Sequence, residues 1–255
     1  MRNILKIVLI TLRSFIILMI LGYTTNAIVE HVEKDILVNN FKKKGIYQEE
    51  LSTKTIKYFK IPYNGPSTLT FLEGSNKESL PGGIGDILVS VQQNTVNPMV
   101  NGIISFYAGG HAGYIPGEFC DYDNDISELR TIETTMTTGN SSVCDVYDRN
   151  EWNLKKYYTE VIGLRVNLTE REMQEVTSSI TSMLNDPYNA SFFFNTTNSE
   201  YCTDLISKAY KKVGKNLNND GFTTSVWDII VSPDTFISYY HYIDNNGIKY
   251  VYYLG

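Results

Sequence analysis

The chain opens with a basic segment followed by an apolar run, and together these set the compartment in which the rest must fold. Arg2, Lys6 and Arg13 precede Phe15-Ile16-Ile17-Leu18-Met19-Ile20-Leu21-Gly22-Tyr23, and Thr24-Thr25-Asn26-Ala27 follows. A basic start, about ten apolar residues and a small residue at the end have the form of a secretory signal, with Ala27 the last residue removed. The alternative is a retained anchor from Ile4 to Tyr23. Lys6 and Arg13 interrupt that span, whereas a crossing calls for about twenty clean apolar residues. Run length therefore favours cleavage. Under both readings positive charge stays inside, and residues beyond 27 are exported, either secreted or held at the outer face of the cytoplasmic membrane.

An exported chain of 255 residues, 42% hydrophobic and 20% charged, can bury one substantial core, so disorder is a poor account of it. The net charge is -6, and no Lys/Arg stripe stands out past the first residues, which argues against nucleic acid as a partner. Three cysteines remain beyond the apolar run: Cys120, Cys144 and Cys202. An odd count outside the cell suggests one bridge and one free thiol. Cys120 and Cys144 both sit in polar, loop-like stretches. A bridge between them would close a loop of roughly 25 residues and stabilise by about 3 kcal/mol. Cys202 would then be the free thiol. The competing state has all three reduced.

Residues 28–80 read as a charged N-terminal arm, for packing or as a short prodomain-like extension. Ile28, Val32 and Ile36 recur on one helical face within it. From residue 81 the pattern becomes that of one α+β domain reaching to residue 255. Strands are predicted over Asp86–Val91, Gly102–Tyr107, His111–Ile115, Arg130–Thr134 and Tyr158–Val166. Thr169 and Glu172 form a capping box ahead of Met173, Val176, Ile180, Met183 and Leu184 at helical spacing. A second helix is predicted over Glu200–Val213, with Asn198 or Ser199 as cap and Gly214 as stop. Two apolar runs around Asn245-Asn246-Gly247 predict a terminal β-hairpin.

Cys202 falls in the first turn of that second helix. Free N–H groups and the helix dipole favour a thiolate there. On position alone, the commoner role of such a Cys is a small buried hydrophobe. A reactive thiol needs a base, and the chain has three histidines. His31 lies in the arm and His241 in the aromatic tail, Tyr239-Tyr240-His241-Tyr242. His111 follows Gly109-Gly110 and opens a strand, where glycines permit close approach of another element. A satisfied, partly buried His at a strand end is an equal alternative. A third group would accept the other imidazole N–H. Glu133, on the strand after that of His111, is the best candidate, and Asp86 is its rival. Asp86 better suits a strand-start hydrogen bond. Three Cys and three His show no paired zinc-type spacing, so neither a metal nor a cofactor is expected.

These segments follow one order: Gly85-Asp86-Ile87-Leu88, His111-Ala112-Gly113-Tyr114-Ile115, Ile132-Glu133, then Tyr201-Cys202-Thr203-Asp204-Leu205-Ile206 with Ala209-Tyr210. The order resembles the YiiX/YebB-like branch of the NlpC-type papain-fold cysteine hydrolases, in which circular permutation places the His strand before the Cys helix. The resemblance spans about residues 82–240 and implies an antiparallel sheet or barrel packed against the helix that carries the Cys. It implies Cys202 as nucleophile, His111 as base and Glu133 as the third member. Tyr188, in Pro187-Tyr188-Asn189, is carried over as an oxyanion or substrate-positioning residue. Ser232-Pro233-Asp234 resembles the closing segment. The acidic stretch Gly117–Leu129 departs from the pattern as an insertion. The implied substrate is a peptide, a peptidoglycan-derived peptide or an acyl amide, with acyl transfer as a variant. Membrane contact is expected only through residues 1–27, if these are retained. The alternative from a different class is a non-catalytic envelope-binding module using the acidic stretch and the aromatic tail.

Overall fold

The structure, a computed structural model, describes residues 2–63, 84–92, 98–116, 130–137, 140–146, 152, 158–190, 198–218, 220–221 and 223–255. The fold is α+β. Among the described residues, nine strands form one sheet in the order β1-β2-β9-β8-β7-β3-β4-β5-β6. They are β1 (Ile46–Tyr47), β2 (Ile56–Ile61), β3 (Ile87–Ser90), β4 (His111–Tyr114), β5 (Thr131–Thr137), β6 (Asn140–Val146), β7 (Glu160–Val166), β8 (Thr235–Ile243) and β9 (Lys249–Leu254). All neighbours pair antiparallel except β2 and β9. The helices are α1 (Arg2–Lys43), α2 (Pro98–Tyr107), α3 (Glu170–Ser182), α4 (Cys202–Lys211) and α5 (Val226–Val231).

The main core lies between the sheet and α3, α4 and α5. Ile87, Val89, Ala112, Tyr114 and Ile132 meet Val176, Ile180, Leu205, Ile206 and Tyr210 there. Each such aliphatic side chain contributes about 1.5–3 kcal/mol through removal from water. The capping box of α3 is present: the Thr169 hydroxyl accepts from the Glu172 N–H, and Glu172 Oε2 accepts from the Thr169 N–H at 2.7 Å. α4 packs on α3 and on β4 and β5, which ties the Cys202 helix to the strands of His111 and Glu133.

Two expectations need correction, at Gly102–Tyr107 and at the start of α4, and the arm gains detail. Gly102–Tyr107 is not a strand but the end of α2. Pro98 suits the first turn of a helix, and Met99, Ile103 and Tyr107 then recur at helical spacing. The Ile28, Val32 and Ile36 stripe of α1 is exposed. The face turned to the body instead carries Ala27, Glu30, Val38 and Phe41. Residues 46–61 add two strands to the common sheet, with β2 in parallel register against β9 from Ile56↔Lys249 to Ile61↔Leu254. Finally, α4 begins at Cys202 with Tyr201 as an N-cap that makes no side-chain capping bond. The reason is a bridge between Tyr188 and Glu200, in which the Glu200 carbonyl accepts from the Asn189 N–H at 2.9 Å. That bridge holds residue 200 extended, so the helix cannot start earlier.

Candidate active site

His111 owes its place to the chain before it. A Cβ at Gly110 would lie 2.3 Å from Ser90 Oγ and 2.4 Å from the Gln92 carbonyl oxygen, so only glycine lets the chain pass this close to the end of β3. The next N–H, that of His111, donates to Ser90 Oγ at 2.8 Å. β4 then runs in register with β5 so that Gly113 faces Glu133. His111 and Glu133 are therefore diagonal neighbours on one face of the sheet. A Cβ at Gly113 would stand 3.1 Å from Glu133 Cγ, and its absence leaves room for the carboxylate to fold over toward the imidazole.

His111 Nε2 and Glu133 Oε2 are 2.7 Å apart. The other carboxylate oxygen accepts from Trp152 Nε1 at 2.7 Å and from the Thr131 hydroxyl. The indole also stacks on the imidazole, with centroids 5.5 Å apart and planes 10° apart. Trp152 in turn stacks on Tyr158. The Cys202 side chain is near enough to the imidazole to raise its affinity for a proton. Burial works against the charged imidazole, but Tyr158, Cys202 and Glu133 outweigh it and hold the His111 pKa well above its ordinary 6.5. Burial likewise opposes the Glu133 carboxylate, yet the bonds from His111, Thr131 and Trp152 and the charge of His111 bring its pKa below the ordinary value.

Cys202 is the first residue of α4 and is half-buried against the core. The first turn of the helix closes with Leu205 N–H donating to the Tyr201 carbonyl at 3.0 Å, so the N–H groups of Cys202, Thr203 and Asp204 precede that bond. Thr203 Oγ1 donates to the Thr224 carbonyl at 2.6 Å, and Lys208 pairs with Asp204 at 2.7 Å and with Glu200 at 3.2 Å. These bonds fix the start of the helix. Tyr188 lies beside it through the bridge to Glu200. Burial, then the neighbouring Cys202, push the Tyr188 pKa up, so its hydroxyl keeps its proton.

The structure thus brings together Cys202, His111, Glu133 and Tyr188. Asp86 goes elsewhere: it forms a buried bidentate pair with Arg165, with Nη2 to Oδ2 at 2.8 Å, at the far end of β3. His241 is buried in the tail with Nδ1 2.9 Å from Tyr239 Oη, and His31 packs on Trp227. Only one half of the expected Cys120–Cys144 bridge is described. Cys144 is a free thiol whose Sγ contacts Thr135 Oγ1 at 3.2 Å, and Cys120 and the stretch 117–129 lie outside the described residues. Sequence reasoning missed Trp152, Tyr158 and Thr131. Trp152 left one signal, since a buried indole N–H demands an acceptor. Thr131 left another, since it lies two positions before Glu133 and so on the same strand face.

Among the described residues, one acidic group has the spacing to hold a metal ion. Glu30, Asp220 and Asp228 place carboxylate oxygens within 4.8 Å of one another, at the seam between α1 and α5. Asn26 Nδ2 already donates to both Glu30 and Asp220 there.

No protein-family model matches the chain, and no curated protein matches it in sequence. Among solved structures, it is similar to that of the metalloprotein YiiX from Escherichia coli O157:H7. Identity is 15%, the TM-score is 0.45, and the match covers 61% of this chain and 95% of that one.

Proposed function

We propose that the protein is an exported cysteine hydrolase of the YiiX/YebB-like, NlpC-type kind that cleaves an amide bond through Cys202, His111 and Glu133. The observation that carries this reading is the His111–Glu133 pair, 2.7 Å apart, with the Cys202 thiol at a helix start close enough to raise the proton affinity of the imidazole. Buried histidines without such partners lose affinity for protons; this one gains it, as a base that must keep the proton it takes.

His111 accepts the thiol proton of Cys202, and the sulfur attacks the carbonyl carbon of a peptide or other acyl amide. Negative charge then develops on the carbonyl oxygen, where the early N–H groups of α4 and the Tyr188 hydroxyl are suited to donate. The imidazolium gives its proton to the leaving nitrogen as the C–N bond breaks, which leaves a thioester on Cys202. Water, deprotonated by His111, attacks the thioester and releases the acid, and the thiol recovers its proton. Glu133 fixes the ring orientation and offsets the imidazolium charge. An acyl acceptor in place of water would make the same site a transferase. A panel of peptides, muropeptides and acyl amides, run with wild type and Cys202→Ala, tests the reading. Turnover that survives loss of Cys202 would refute it. Alkylation of Cys202 no faster than that of an ordinary free thiol would favour the binding module.

The apolar start of the chain is compatible with a signal or an anchor, and we propose that it is retained as an anchor. α1 runs unbroken through the expected cleavage point, and Ala27 is only 2% exposed. Asn26 Nδ2 reaches Asp220 at 2.6 Å, and Thr24 Oγ1 lies 2.9 Å from Tyr107 Oη. Cleavage after Ala27 would cut these contacts away. Membrane fractionation with intact mass measurement tests this, and a soluble product beginning at residue 28 would refute it.

A further inference from the structure

Helix α2 has a face that the proposed reaction does not use. Met99 is 78% exposed, Ile103 56% and Ile104 36%. Met99, Ile103 and Tyr107 follow at intervals of four and so form one stripe along the helix. Its lower end is defined by contact with α1. The Tyr107 ring stacks on Tyr23, with centroids 5.1 Å apart and planes 7° apart. Tyr23 in turn closes the apolar run Phe15–Tyr23, two residues after Leu21; exposed apolar side chains resume only at Ile28, beyond the polar Thr24-Thr25-Asn26. Two residues of helix rise are about 3 Å. The stacked tyrosines therefore sit where the apolar span meets water, the level at which aromatic side chains concentrate on membrane proteins.

Resting on the reading that α1 is a retained anchor, we propose that the Met99–Ile103–Tyr107 face of α2 is a second membrane contact, seated in the interface of the bilayer that α1 crosses. The occupant follows from continuity: the stripe begins at the residue that touches the end of the apolar span, and a large exposed apolar face beside a membrane finds lipid as its nearest apolar phase. The consequence concerns the site. α2 leads through Ala108, Gly109 and Gly110 directly into His111. Seating α2 in the interface holds the His111 end of the active site near the membrane surface, where an amide substrate attached to lipid is presented at high local concentration.

The test uses the full chain in phosphatidylglycerol–phosphatidylcholine vesicles carrying a diazirine-labelled phospholipid, with adducts mapped by mass spectrometry after irradiation. Adducts on residues 98–107 as well as on 4–21 are expected. Ile103→Asp, an exposed position, should lose the adducts on 98–107 and keep those on 4–21. Adducts confined to 4–21 in the wild type would overturn the proposal. Adducts on neither segment would overturn the anchor reading and this proposal with it. Since no readout depends on turnover, failure of the hydrolase reading leaves the experiment interpretable.

Discussion

His111 and His241 lie in one cross-strand row, through the register His111↔Ser90↔Val161↔His241. Both are withdrawn from water, yet they have opposite acid–base character. Burial, then the charge of Lys249, hold the His241 pKa well below 6.5. At His111 the same penalty is overcome by Tyr158, Cys202 and Glu133. Burial alone lowers a histidine's affinity for protons; a carboxylate hydrogen-bonded to the ring and further partners beside it raise it. The partners of His111 come from β5 and α4, far from it in sequence. The hydroxyl partner of His241 stands two residues away on its own strand, and Nε2 has no hydrogen-bond partner among the described residues.

The contrast is broken most directly by deleting the reacting groups. Cys202→Ala and His111→Ala should each abolish turnover in the substrate panel with the far-ultraviolet circular dichroism unchanged. Next is Glu133→Gln, expected to lower kcat by about 100-fold, in the range by which positioned acid–base groups act. It should also lower the His111 pKa by NMR titration while leaving His241 unprotonated. The signs are fixed by the shifts. The Glu133 contribution to stability is present above its ordinary 4.5 and lost as pH falls through the lowered value. That of His111 is present below 6.5 and lost as pH rises through the raised value. Glu133→Gln should thus flatten the pH–stability curve on both limbs, as read from denaturant midpoints.

Smaller effects sharpen the comparison. Trp152→Phe keeps the stack on His111 but removes one donor to Glu133, so it should cost about 1–2 kcal/mol in denaturant unfolding and reduce turnover less than Glu133→Gln. His241→Phe should leave turnover unchanged and shift stability at neutral pH by within about 1 kcal/mol, since one hydrogen bond and one unpaired buried nitrogen are removed together. Its signature is at low pH. A His with a depressed pKa loses its contribution as pH falls below 6.5, so the variant should resist acid better than wild type. A loss of turnover in His241→Phe would show that the two histidines are not functionally separate.

The local part of this fold was readable from the chain. The Thr169 capping box, the apolar periods of α3 and α4, the terminal hairpin and the alternating β5 are all short-range patterns, and all are present. What misled was also local. Ile103 and Ile104 suggested a strand because β-branched pairs favour one, while Pro98 and the spacing of four decide for helix. Ile28, Val32 and Ile36 marked a helix, which is present, but α1 meets the body through another face, with Ala27, Val38 and Phe41 and the polar contacts of Asn26.

The candidate site divides in the same way. The sequence by itself singled out Cys202 and His111 as candidates, because a helix start and a Gly-Gly-His strand entry are local features and the histidines are few. It also determined the apolar N-terminus, which needs only composition and run length. The tertiary structure decided which carboxylate serves His111, since Asp86 and Glu133 differ only in which strands lie beside them: Arg165 of β7 takes the first, and the gap above Gly113 of β4 admits the second. It also decided the start of α4, through a bridge across residues 188 and 200, and the continuity of α1 into the body. Contacts between residues distant along the chain set these features, and a pattern of spacing cannot encode them.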